Sequence, residues 1–330
     1  NSGWLSISDV TDGENSDEVS YAGTALSVST TYYWRCRFRD KALNEGSWSA
    51  TQRFTTYEYI GLVITVGPMG SMPGGANPQY DSFDNAESNI VSDFNMDDKD
   101  LTDGENASNI IYECYGSWRA DSADGAGEVI SGWTTSSTYG LKIIAGAGRP
   151  VLFEDDSSLE GGYTLQVSSD YVDISGIELV ANSSSYDENY ALYINDSDHI
   201  NIDNCVFDTY IGSSIWNRNH ASNLDGSYLV FDNCTFTGSG AIFDTDSTSA
   251  REGIEIKYST FRDLTFTAHG GDPDYECAIS VEPSSDLYDY SMDIHHNRFI
   301  DLGDNERVVF LSHFQSCKIY NNYFDCTKVT

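Results

Sequence analysis

No stretch of about eighteen apolar residues occurs in the chain, so no membrane-spanning helix is expected. The longest apolar run, Ile60–Val66, is far too short. Basic residues are scarce: 17 Lys and Arg stand against 52 Asp and Glu in 330 residues, a formal charge of −35. Such a field repels phosphate backbones, which need cationic side chains to release counterions, and this excludes nucleic acid as a partner. It suits a protein kept soluble in salt, or one that gathers cations such as Ca²⁺. The six His form no H-x-H or H-E-x-x-H pattern, and none of the seven Cys forms C-x-x-C, so no zinc or dithiol motif is present. Neither Met nor a signal peptide opens the chain at Asn1, as expected for a piece of something longer.

What is present is one short phrase written six times. It reads Val172-Asp-Ile174-Ser-Gly-Ile-Glu-Leu179, Ile200-Asn-Ile202-Asp-Asn-Cys-Val-Phe207 and Leu229-Val-Phe231-Asp-Asn-Cys-Thr-Phe236. It continues as Ile254-Glu-Ile256-Lys-Tyr-Ser-Thr-Phe261, Met292-Asp-Ile294-His-His-Asn-Arg-Phe299 and Cys317-Lys-Ile319-Tyr-Asn-Asn-Tyr-Phe324. The first three residues alternate with period two, which is strand and not helix. A polar corner follows, then an apolar anchor. The anchors Leu179, Phe207, Phe236, Phe261, Phe299 and Phe324 are 28, 29, 25, 38 and 25 residues apart. One copy cannot bury its own apolar face, whereas stacked copies make a continuous core; the pattern is a solenoid. Second strands precede most phrases, at Tyr163–Val167, Ala191–Ile194, Ala278–Val281 and Val308–Leu311.

These phrases resemble the right-handed parallel β-helix superfamily of pectate lyases, phage tailspikes and secreted surface proteins. The resemblance implies an all-β fold, a right-handed parallel β-helix, far more specifically than it implies an activity. Ahead of it, Tyr32-Tyr-Trp-Arg-Cys-Arg-Phe-Arg39 alternates aromatic residues with Arg, and Gln52-Arg-Phe54-Thr-Thr56 reads as the next strand. This stretch resembles the last strands of a fibronectin type III domain, giving a partial N-terminal β-sandwich. The expected division is residues 1–56 sandwich, 57–106 linker and N-terminal cap, and 107–330 β-helix. Within the second part, Asp84–Asp100 is expected to supply a helix that caps the solenoid's open end.

Aligned phrases stack residues into columns. The corner column holds Gly176, Asn204, Asn233, Tyr258, His296 and Asn321, where Asn suits a left-handed turn and stacked amides bond along the axis. The column before it, pointing outward by alternation, holds Ser175, Asp203, Asp232, Lys257, His295 and Tyr320. Asp203 and Asp232 fall one strand spacing apart, close enough to share Ca²⁺ or to perturb one another. Cys205 and Cys234 fall together in the same way, leaving a disulfide or an apolar ladder open.

Three functions fit. The leading one is a structural or adhesive extracellular protein of a cell surface, filament or virion, self-associating and without catalysis. A carbohydrate-active enzyme on the same fold would use Asp203, Asp232, Lys257, His295 and Tyr320. A lyase needs a cation for the uronate carboxylate and a base for its α-proton, while a glycosidase needs two carboxylates. A glycan-binding module without turnover would use Trp216 and Arg218, placed in an insertion at Ser213–Gly226.

Overall fold

The computed structural model describes residues 30–35, 37, 44–49, 52–56, 61–103, 108–119, 127–154, 163–181, 190–195, 197–209, 215–218, 227–238, 242–244, 251–264, 277–281, 291–300, 302, 307–311 and 316–325. The chain divides into two compact units, Asn1–Ile60 and Gly61–Thr330. In the first, Thr30–Trp34 pairs antiparallel with Gln52–Thr56, Tyr32 opposite Phe54.

The second unit is a parallel β-helix with three strand-bearing faces. The first face is a seven-stranded sheet of Glu128–Ser131, Tyr163–Ser168, Tyr190–Asn195, Ile215–Arg218, Ile242–Asp244, Cys277–Val281 and Arg307–Leu311. The second face carries the opening strand of each phrase and the third its anchor strand, joined into one sheet by the long strands Asn109–Arg119 and Leu141–Glu154. Every pairing within the β-helix is parallel and joins adjacent coils, so successive phrases stack in register.

The corner between second and third faces explains why the register does not slip. Asn204, Asn233, Tyr258, His296 and Asn321 all adopt φ between 52° and 57°, and Gly176 has φ 76°. This left-handed turn costs least with Gly or Asn. The backbone ladder runs on through it, from Asn204 N–H to Asp232 O (3.0 Å) and from Asn233 N–H to Lys257 O (3.0 Å). Asn233 Nδ2 donates to Asn204 Oδ1 at 3.5 Å, a single long amide contact. The stronger axial chain sits one residue further on, pointing inward. There Asn297 Nδ2 donates to Ile256 O (2.8 Å), Asn322 Nδ2 to Ile294 O (2.9 Å), and Asn297 Oδ1 accepts from Ser259 N–H (2.9 Å). Cys205 and Cys234 occupy the same inward column as free, buried thiols. Both stand as an apolar ladder of unbridged thiols, and burial pushes the Cys205 thiol up to about 12.

Inside, the anchors form a continuous stack. Phe207, Phe236, Phe261, Phe299 and Phe324 follow one another with ring centroids 4.7–5.1 Å apart. Ile174, Ile202, Phe231, Ile256 and Ile294 line the second face behind them, all fully buried or nearly so. At the far end the last coil is different. Ile319 and Phe324 hold inward register positions yet are 49% and 44% exposed.

The expected boundary at residue 107 is corrected. Gly61–Val66 pairs in parallel with Asn109–Arg119, Ile64 beside Tyr112, and so it is the first strand of the second face and not linker. Ile64 and Val66 of its apolar run are buried in the core, while Val63 faces out. Helix α1, Phe83–Asp93, follows; Ser82 caps it by accepting from Asn85 N–H (3.1 Å), and left-handed Asn95 lies just beyond its end. Phe83, Ala86 and Ile90 are buried in the same core as Tyr112 and Trp118. Two polar latches fix the helix to the coils. Glu128 accepts from Asp84 N–H (2.7 Å) while Asp84 accepts from Val129 N–H (3.2 Å). Glu87 accepts from Trp133 Nε1, from Lys99 Nζ (2.6 Å) and from the Tyr112 hydroxyl. Among the described residues no helix is long and apolar enough to cross a membrane.

Candidate functional site

The outward column of the second face is assembled by strand pairing alone. Ser175, Asp203, Asp232, Lys257, His295 and Tyr320 are consecutive register partners on six coils. Backbone spacing sets them roughly 4.8 Å apart. Ser175 Oγ donates to Asp203 Oδ2 at 3.3 Å. Lys257 Nζ lies 3.8 Å from Asp232 Oδ2 and 2.8 Å from Glu255 Oε2.

Glu255 is the hub that sequence reasoning missed. It stands two residues before Lys257, in a second outward column with Lys142, Asp173, Asn201, Val230, Asp293 and Lys318. Its oxygens accept from Lys257, from the Tyr228 hydroxyl (3.2 Å) and from His295 Nε2 (3.0 Å). The signal was available in period two, which turns both residues flanking each central apolar residue outward.

His295 takes an outward position but is only 8% exposed. Tyr320 stacks on its ring at 4.9 Å, and Tyr258 meets it edge-on at 6.0 Å. Its Nδ1 lies 2.9 Å from Nδ1 of His296, whose ring stacks on Tyr258 at 5.1 Å. Asn321 Nδ2 is 3.3 Å from His296 Nε2. If the assigned Asn321 amide donates there, one proton arrangement satisfies the chain: His296 carries its proton on Nδ1 and donates to His295 Nδ1, and His295 donates from Nε2 to Glu255.

The electrostatics separate the carboxylates. Burial raises Asp203, against the Ser175 hydrogen bond and Lys257. Burial also raises Asp232, opposed by Lys257 and reinforced by Asp203 and Glu255. Glu255 goes the other way: burial alone would raise it, but the hydrogen bonds from Lys257 and His295 prevail and lower it. Burial works against the Lys257 ammonium, yet Glu255 and Asp232 outweigh it and the group is raised. The ladder therefore holds a firmly ionised carboxylate and ammonium beside two carboxyls that ionise reluctantly. Among the described residues, no group of three or more His, Cys, Asp or Glu is arranged to hold a metal ion. Asp203 and Asp232 alone offer far fewer than the six to eight oxygens Ca²⁺ takes.

Trp216 and Arg218 are not in an insertion. Ile215–Arg218 is a strand of the first face, with Trp216 in register with Tyr193 and Phe243, and Arg218 with Asn195. Their side chains lie outside the described residues. In the first unit, the guanidinium groups of Arg35 and Arg37 each sit 4.5 Å from the Trp48 ring, and Arg37 also pairs with Glu45. Those cations already engage the indole.

Residues 2–57 match the family model of the Rha78A-like, N-terminal immunoglobulin domain. The sandwich is thus immunoglobulin-like where the sequence suggested fibronectin type III, two families that share the antiparallel sandwich architecture. No curated protein and no solved structure matches the chain.

Proposed function

We propose that this chain is an extracellular adhesive protein whose β-helix binds polysaccharide along the second face without turning it over. One observation carries the reading: exposed aromatic rings stand beside a polar ladder whose strongest charges are already paired. Tyr258 is 55% exposed, Tyr320 42% and Tyr228 39%. Such rings offer an apolar face to sugar C–H groups and a hydroxyl to their oxygens. Lys257 is committed to Glu255 and Asp232, and His295 to Glu255 and His296. A lyase needs that cation and that base for a uronate substrate, so the pairing argues against elimination.

Affinity electrophoresis against a polysaccharide panel tests the proposal, comparing the parent with Tyr258→Ala and Tyr320→Ala. Retardation of the parent that falls several-fold in either variant, without new reducing ends, supports it. Equal mobility in every polysaccharide overturns it.

A second reading is favoured by the opposite shifts of Asp232, raised by burial, and Glu255, lowered by its hydrogen bonds. Two carboxyl groups whose environments push them apart in this way are the kind of pair a glycosidase uses. Reducing ends that accumulate with the parent and vanish in Asp232→Asn would establish that activity.

A further inference from the structure

The second face carries a definite charge balance. Lys142 pairs with Asp173, Lys257 with Glu255 and Asp232, and Lys318 with Asp293 at 3.5 Å. Each lysine of the two outward columns is therefore spoken for by a carboxylate of the same face. The carboxylates outnumber them: Asp173, Asp203, Asp232, Glu255 and Asp293 stand against three ammonium groups. Among the described residues, Asp203 has no lysine within ion-pair distance, and one side-chain hydrogen bond reaches it, from Ser175. The chain around the face carries a formal charge of −35.

Resting on the glycan-binding reading above, we propose that the ligand of this face is a polysaccharide bearing protonated amines, a polymer of hexosamine units with free amino groups. Three features fit that chemistry. An ammonium on the ligand supplies Asp203 and Asp232 with the charge-assisted hydrogen bonds that would favour their ionised forms, offsetting the burial that now disfavours them. The exposed rings of Tyr258 and Tyr320 border the same column and attract cations as well as sugar faces. Ladder residues repeat at roughly 4.8 Å, so an extended ligand lying along the face meets one ladder residue per coil. A polyuronate meets the reverse situation. Its carboxylates would face an excess of acids and would have to displace existing ion pairs to reach a lysine.

The pair Asp203–Asp232 invites comparison with a divalent-cation site, but it lacks a third ligand among the described residues. An extended polyamine glycan needs no such convergence, because each carboxylate takes its own ammonium.

The test is calorimetry of the whole chain with glucosamine hexamer, N-acetylglucosamine hexamer and galacturonate hexamer at low and at physiological salt. The glucosamine hexamer is expected to bind at least tenfold tighter than its acetylated counterpart. That preference should shrink with salt and should drop about tenfold in Asp203→Asn/Asp232→Asn. Both substitutions keep the side-chain shape, and circular dichroism checks the fold. Equal binding of the free-amine and acetylated hexamers overturns the amine assignment while leaving glycan binding intact. Preference for the galacturonate hexamer overturns it as well. No binding of any hexamer, with no retardation in any polysaccharide, removes the glycan reading and this inference together.

Discussion

Phe261 lies between Phe236 and Phe299, 4.7 Å from each ring centroid and within 12° of parallel to both. Three consecutive coils are held by that one contact pair, since each phrase contributes one anchor. Phe261→Ala should destabilise the β-helix by about 3–5 kcal/mol, the usual cost of emptying a buried aromatic site. Phe261→Leu should cost clearly less. Denaturant unfolding followed by far-UV circular dichroism reads the difference, and equal midpoints for the two variants would contradict a stacked, close-packed interior.

Glu128 is fully buried where α1 meets the first coils, and burial lifts its carboxyl to about 7 from the ordinary 4.5. The folded pKa is the higher one. Its stabilising effect is therefore complete below the unfolded value and is lost as pH rises through about 7. Over that window the group's contribution falls by about 3 kcal/mol. Glu128→Gln should flatten this slope, making the variant relatively more stable at pH 8 than at pH 5. Thermal melts of both proteins at the two pH values decide it.

The left-handed corner predicts a contrast between two small substitutions. Asn233 has φ 54° and makes only a long side-chain contact. Asn233→Gly should be nearly neutral. Asn233→Ala should lose about 1 kcal/mol, because Ala keeps the Cβ that crowds the following carbonyl but lacks the short polar side chain whose local hydrogen bonding lets Asn adopt that conformation. Similar melting temperatures for the two would show that conformation at the corner does not limit stability.

Hydrogen-bond polarity fixes the histidine tautomers. Long-range ¹H–¹⁵N correlation spectra should show His296 protonated on Nδ1 and His295 on Nε2. The opposite tautomer on His296 would place the Asn321 amide the other way round.

Thiol chemistry offers a further check. Cys317 is exposed, whereas Cys114, Cys205 and Cys234 are buried. Burial raises all four thiols, strongly for the three interior ones. Brief alkylation of the native protein, read by peptide mapping, should label Cys317 well ahead of those three.

The solenoid was legible because its phrase repeats a period-two pattern with a fixed anchor, and stacking by phrase gave the register from Ser175 to Tyr320. Three things were hidden, each for a physical reason. Gly61–Val66 has no phrase around it, so a strand of the second face looked like the edge of a linker. Ile215–Arg218 carries an aromatic residue and a charge within four residues and no phrase beside it, which made a sheet strand resemble an insertion. Glu255 was passed over because only one of two outward columns was followed, although its partners Lys257 and His295 were both in view.

The continuous ladder through the Asn204 and Asn233 corner has a mechanical consequence. Bonds between coils run along the solenoid axis, so tension applied along that axis loads them in series and the end coil yields first. Each release frees one anchor-to-anchor length, 25 to 38 residues over the clear repeats. That is about 80–140 Å of extended chain per event. Under force the molecule should lengthen in discrete steps, as a spring that uncoils turn by turn.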